Sequence, residues 1–254
     1  MNLFLSHFLP KRAGIPVLMY HKVETESADS LTVTVDAFTD QLHWLKKSGY
    51  ESISLQCFLE VLEGKKHRDE LPARPILITF DDGYQSTLTE AAPILAKFDF
   101  RATLFATSAY IDEKAPSVFM SADDLETWNQ KGHEIALHSH THPNYGATEN
   151  SEILSDLKTS LDWFAKNKIK ALSALAYPFG ARPKEKLRKI ELKNTLQQAG
   201  VIAAFRIGNK IATWKSLDKK RVDPFEIPRI DIRGDDNLKS FSIKVQKGRI
   251  RPFQ

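Results

Sequence analysis

Three histidines fall within five residues, His138-Ser139-His140-Thr141-His142, directly after the apolar segment Glu134-Ile135-Ala136-Leu137. Far upstream, Asp81 and Asp82 close another apolar run, Ile76-Leu77-Ile78-Thr79-Phe80. Neutral imidazoles and a carboxylate are the ligands of a zinc-type site, and a catalytic version leaves one position open for water. Two histidines and one aspartate complete such a donor set and leave the second aspartate over. A spare carboxylate beside an activated water has the makings of a general base. The pattern predicts a metal-dependent hydrolase.

Short apolar runs alternate along the chain with longer amphipathic stretches. The expected strands cover 15–20, 52–55, 76–80, 102–107, 134–137, 172–177 and 203–207, with a last one near 227–232. The expected helices cover 36–48, 86–98, 121–131, 149–167 and 183–199, the first with Asp36 as N-cap and Phe38, Leu42 and Leu45 at helical spacing. Such alternation means a parallel sheet with crossover helices, open or closed into a barrel, in one α/β domain. The C-terminal strand ends of that fold share one face, and the active site lies there. His21, Asp81-Asp82, the histidine cluster and Tyr177-Pro178-Phe179-Gly180 all follow expected strands. Each has a duller explanation alone, Asp-Asp-Gly being a common turn. Their collection on one face does not.

At 254 residues and 42% hydrophobic content the chain can fill one large core. The net charge of +4 is mild, but Lys219-Lys220-Arg221 and the stretch from Lys239 to Arg251 are locally basic. Solvated surface is the plain reading, and phosphate on anionic lipid or a glycan carrier is the other. The basic residues are not interleaved with aromatics, which argues against nucleic acid. A lone cysteine, Cys57, excludes an intrachain disulfide and a thiolate cluster. No apolar stretch reaches transmembrane length. In residues 1–12 the basic side chains follow the apolar ones, the reverse of a signal peptide. Residues 1–14 are therefore expected as an apolar segment lying on a membrane or on the domain itself. Residues 15–235 are expected as the catalytic domain and 236–254 as a basic tail, with a cytoplasmic or membrane-face location. The sequence sets no oligomeric state.

The runs Thr79-Phe80-Asp81-Asp82-Gly83, His138-Ser139-His140-Thr141-His142-Pro143 and Tyr177-Pro178-Phe179-Gly180 resemble the first three motifs of the NodB-homology polysaccharide deacetylases, carbohydrate esterase family four. Ile15-Pro16-Val17-Leu18-Met19-Tyr20-His21 is similar to the opening of the poly-N-acetylglucosamine deacetylase branch, where the acid-histidine motif comes first in a circularly permuted order. The likeness runs from about Ile15 to about Arg233. It implies a distorted (β/α) barrel of about seven parallel strands. It also implies hydrolysis of an N-acetylhexosamine acetamide, in a GlcNAc-type glycan or its lipid- or nucleotide-linked precursor. By the same resemblance Asp82, His138 and His142 hold a divalent metal and Asp81 is the base. Zinc is the first expectation, with cobalt, nickel and iron compatible with the donors. The family's basic partner for the base aspartate falls at Arg101. Asp231, in Pro228-Arg229-Ile230-Asp231, is the candidate to tune His21, since the fourth motif has no clear match. Ala176 stands where the third motif usually begins with arginine, and Phe179 replaces the commoner tyrosine.

Amide hydrolysis needs an activated water, a stabilised carbonyl oxygen and a proton for the departing amine. A metal serves the first two needs. Asp81 can accept the water's proton and His21 can supply the amine's. The Phe179 main-chain N–H is expected to complete an oxyanion hole, a donor type worth about 3 kcal/mol. Residues i and i+4 share a helical face, so His138 and His142 are expected to converge on one turn, with His140 a bystander. Tyr177, Pro178 and Trp214 are expected at the substrate, and Trp128 and Trp163 in the core. Two other readings stand beside this one. Glycoside hydrolysis wants two carboxylates roughly 5 to 9 Å apart across the bond, which sequence neighbours serve poorly. A glycan-binding relative that keeps the barrel and metal but has lost turnover is the non-enzymatic alternative.

Overall fold

A computed structural model describes residues 14–111, 118–218, 220 and 222–248. The first part of the chain forms β1 (Gly14–Ile15), β2 (Val17–Tyr20), β3 (Lys22–Glu24), β4 (Thr32–Thr34), α1 (Val35–Lys47), β5 (Glu51–Ser52) and α2 (Leu55–Leu62). The long strand β6 (Pro75–Asp82) follows, and a π-helical turn over Thr87–Ala91 leads into α3 (Ala92–Lys97). Strand–helix pairs then continue as β7 (Thr103–Ala106), α4 (Ala122–Gln130), β8 (Glu134–Leu137), α5 (Asn150–Lys166), β9 (Leu172–Ala176) and α6 (Lys186–Gln198). The remainder is β10 (Ala203–Ile207), β11 (Ala212–Thr213), α7 (Trp214–Leu217), β12 (Ile227–Asp231) and α8 (Leu238–Lys247).

Seven parallel strands run in the order β2-β12-β10-β9-β8-β7-β6, and pairing of β6 with β2 closes them into a barrel. A register shift between β8 and β9 distorts it. This is the distorted (β/α) barrel expected from the sequence. Strand alternation divides its apolar residues into two layers. Val17, Leu77, Phe105, Ala136, Ala174, Ala203, Phe205 and Ile227 form the filling. Their neighbours Leu18, Ile78, Leu104, Ile135, Leu175, Ala204 and Ile230 belong to the separate cluster under the helices. Going up the strands, the inward positions turn polar: Thr79 and Asp81 on β6, Arg229 and Asp231 on β12. The helix α2 adds Leu55, Phe58, Leu59 and Leu62 to the lower filling, and the buried-side carboxylate of Glu134 accepts the N–H groups of Leu55 and Gln56 at its start.

Several expectations need correction. The strand expected over 52–55 stops at Ser52, because Ser54 accepts the Cys57 N–H and starts a helix instead. Thr34, not Asp36, caps α1. The 236–254 stretch is not all tail: Asn237 caps α8, whose Phe241 and Val245 are fully buried. Phe241 meets Trp44 of α1 edge to face at 5.8 Å. The expected apolar segment 1–14 lies outside the described residues except for Gly14, which pairs in β1 with Thr213.

His133 lies just before β8, its ring 4.1 Å from that of Trp128 and its Nδ1 accepting the Ala102 N–H at 3.2 Å. Burial, with help from Arg101 and Lys131, depresses its pKa to about 4. The unfolded chain takes up this proton near 6.5 and the folded chain does not. Its contribution is therefore fully present above 6.5 and is lost as pH falls toward 4, about 3 kcal/mol in total. Urea unfolding of wild type and His133→Gln from pH 7 to 4 is expected to show the flatter profile in the variant. Parallel profiles would refute the assignment.

Candidate metal and hydrolytic site

The site begins with a conflict of strand geometry. Asp81 occupies an inward position of β6, so Asp82 in regular extended backbone would face away. Instead Asp82 has φ 76° and turns back over the barrel mouth. Gly83 continues at φ 105°, where a Cβ would meet Ile111 Cδ1 at 2.8 Å. Asp82 is thereby placed with Oδ1 3.3 Å from His138 Nε2 and 3.4 Å from His142 Nε2.

The two histidines meet differently from the sequence expectation. His138 follows the end of β8, and the chain then runs through a loop rather than a helical turn. Left-handed backbone at Ser139 (φ 70°) and His142 (φ 59°) folds the loop back, and Ser139 Oγ accepts the His142 N–H at 2.9 Å. The two Nε2 atoms end 3.2 Å apart. His140 points elsewhere, its Nδ1 2.9 Å from Ser108 Oγ.

These donors suit a divalent metal. His138 Nδ1 lies 2.8 Å from the Ala176 carbonyl and can only donate to it, which leaves the Nε2 lone pair facing Asp82 and His142. Asp82 Oδ1 is buried without a hydrogen-bond partner among the described residues. One ligand atom from each of Asp82, His138 and His142 falls within 4.8 Å of the others. Burial works against the charge on Asp82, but His138 and His21 outweigh it and hold the carboxyl below its ordinary range. Burial and the neighbouring His138 likewise keep His142 neutral to lower pH than usual.

Beneath them, Asp81 is gripped by an arginine that sequence reasoning missed. Arg229 of β12 donates to both its oxygens, at 2.6 and 2.7 Å, with the pair 0% and 3% exposed. Burial alone would raise the Asp81 pKa, yet Arg229, with His138 and His21, brings it to about 2. Arg101 does not reach this pair. It precedes β7 at the opposite end of the barrel, where its N–H bonds Ser52 Oγ. The available signal was strand parity, since Ile227, Arg229 and Asp231 share the inward phase of one strand.

His21, Asp231 and Phe179 line the same cavity, of about 650 Å³, as Asp81, Asp82 and the metal-type histidines. Asp231 pairs in register with Met19, two residues before His21 on the neighbouring strand. His21 Nδ1 and Asp231 Oδ1 are buried without hydrogen-bond partners among the described residues. Phe179 adopts φ 58° and packs its ring 4.4 Å from that of His142, while remaining 65% exposed. Tyr177 and Pro178 are buried outside the cavity lining, and the Tyr177 hydroxyl donates to the Phe225 carbonyl at 3.1 Å. Trp214 packs beside the lower core cluster, away from the cavity. An aromatic cluster lining the same cavity was not anticipated: Phe119 lies 4.9 Å from Tyr84 and 4.7 Å from Tyr110.

The family model described as polysaccharide deacetylase matches residues 68–199, just over half of the chain. The chain belongs to the polysaccharide deacetylase family. A poly-beta-1,6-N-acetyl-D-glucosamine N-deacetylase of Staphylococcus aureus (strain MRSA252) is 27% identical over 240 residues, covering 90% of this chain and 77% of that protein. A protein of the same name from Escherichia coli (strain K12) is 32% identical over 152 residues, 54% of this chain and only 22% of that protein. In fold, the chain is similar to the Streptococcus pyogenes deacetylase PplD, solved in complex with acetate. That match has TM-score 0.77 and 20% identity, over 92% of this chain and 99% of the other.

Removing Arg229 would strand a buried carboxylate. Arg229→Met is expected to lower unfolding free energy by about 3–5 kcal/mol. Asp81→Asn combined with Arg229→Met is expected to recover most of that loss in urea titrations. If the double variant is as unstable as the sum of the singles, the pair is not what matters.

Proposed function

We propose that this member of the family is a metal-dependent N-deacetylase acting on N-acetylglucosamine units of a polysaccharide. One observation carries the reading. The Asp82–His138–His142 donor set, the Asp81–Arg229 pair and the His21–Asp231 side of the barrel all face one cavity. The names of the relatives favour a polymer over a lipid- or nucleotide-linked precursor. A cavity of about 650 Å³ suits a small part of a glycan chain. The Tyr84, Tyr110 and Phe119 rings offer apolar surface to sugar faces.

The metal, zinc foremost, would polarise the acetamide carbonyl and lower the pKa of the attacking water. Cobalt, nickel and iron suit the same donors. Every other task falls to the chain. Asp81, kept ionised by Arg229, takes a proton from the water as its oxygen attacks the carbonyl carbon. The Phe179 N–H stabilises the charge that develops on the carbonyl oxygen. His21, beside Asp231, delivers a proton to the amide nitrogen as the C–N bond breaks, releasing acetate and the free amine. Tyr177 and Pro178 support this wall from behind rather than touching substrate.

No helix among the described residues is long and apolar enough to cross a membrane. Peripheral contact with anionic lipid, through the basic residues near the C-terminal end and the apolar segment 1–14, belongs to the proposal. Co-sedimentation with anionic but not neutral liposomes is the expected result, and indifference to both would remove this part.

The central test pairs elemental analysis with acetate release from N-acetylglucosamine oligomers. Wild type is expected to hold about one metal per chain, and Asp82→Ala to lose both metal and turnover. Asp81→Asn is expected to keep the metal while turnover falls at least a hundredfold. A wild type that binds no metal after reconstitution would overturn the mechanism.

A further inference from the structure

Two of the three metal-type donors come from a single loop, whose own Ser139–His142 bond is supplemented from outside. It carries two left-handed residues that are not glycine, Ser139 and His142. Such backbone is strained in a residue with a side chain and persists only where its surroundings enforce it. His138 has independent support, since its N–H bonds the Ala106 carbonyl at 3.0 Å and its ring is fixed on the Ala176 carbonyl. His142 has neither.

Support for the second half of the loop comes from α5. Asp156 Oδ1 accepts the His140 N–H at 2.8 Å. Its Oδ2 accepts the Thr141 N–H at 2.8 Å and the Thr141 hydroxyl at 2.6 Å. One helical turn further on, the buried Ser160 hydroxyl donates to the Ser139 carbonyl at 3.2 Å and accepts from Ser108 at 3.1 Å. The i, i+4 spacing puts both side chains on one helix face, over consecutive loop residues. Asp156 thus binds two successive N–H groups located between the two histidine ligands. A carboxylate can do so with a separate oxygen for each, whereas an amide offers one acceptor.

We propose that Asp156 is a positioning residue for the metal site. Its carboxylate fixes the His140–Thr141 main chain and so holds His142 at the distance from His138 and Asp82 that a single ion requires. The inference rests on the metal-site reading above. Asp156 touches neither substrate nor metal in this scheme; it acts through His142.

The test follows Co2+ binding to the full chain by competition with a chromophoric chelator. The visible absorption of bound Co2+ and the thermal unfolding of metal-free protein are recorded alongside. Asp156→Ala is expected to weaken Co2+ binding roughly ten- to a hundredfold and to alter the absorption bands, as loss of an orienting partner does at metal sites. Asp156→Asn is expected to fall between that variant and wild type, and it carries the test if the alanine variant does not fold. Lys158→Ala, an exposed change on the same helix, is expected to match wild type. Unchanged Co2+ affinity and spectrum in both Asp156 variants would overturn the inference while leaving the metal site intact. So would an affinity loss that merely tracks a drop in metal-free stability with the spectrum preserved. No Co2+ binding by wild type would instead bring down the metal-site reading, and this inference with it.

Discussion

An aspartate and an arginine meet inside a barrel whose lower half is filled with hydrocarbon, and much of what surrounds them follows from keeping both charged. Moving either ion out of water alone costs several kcal/mol. The cost is met by two parallel hydrogen bonds to Asp81, by Thr79 behind the guanidinium and by the Phe105 ring 5.3 Å from it. With Asp81 committed to Arg229, the adjacent Asp82 is left to the histidines. The two carboxylates share His138 as a neighbour, but only Asp81 has the arginine, so residues adjacent in sequence have different chemistry.

The mouth of the barrel is built by a second device. Asp82, Ser139, His142 and Phe179 all have left-handed backbone without being glycine. Each turns a side chain or a main-chain N–H to a place where regular strand or helix geometry would not put it. Such conformations need a stiff frame, and the parallel strands beneath supply one.

The sequence was legible where a periodicity controls the backbone, and less so at caps, where Thr34 and Ser54 were missed. Strand parity, the crossover helices and the common face of the strand ends could all be read from apolar spacing. Parity also turns Arg229 inward, but its pairing with Asp81 in place of the expected Arg101 depends on which strand ends share a layer. That is settled by tertiary register, with Ile207 beside Arg229 and Met19 beside Asp231. His138 and His142 converge as their spacing suggested, but by a strained loop instead of a helix, since their spacing carries no record of Asp156 on the next helix. The C-terminal stretch read as a tail because its basic residues hide a sparse apolar stripe, of which only Phe241 and Val245 are fully covered.

The closure of the barrel has a consequence for how the molecule assembles. β2 is held between β6 and β12, so one of the first strands of the described chain must wait for one of the last. Contacts of such long sequence separation are entropically the slowest to form. β12 brings Arg229 and Asp231, and β2 brings His21. A partly folded barrel lacking that seam would present Asp81 without its counter-ion and the cavity without its His21–Asp231 wall. The Asp82–His138–His142 donors, which lie outside the seam, could gather before it closes, whereas the counter-ion of Asp81 and the His21 side of the cavity arrive only with the last step of closure.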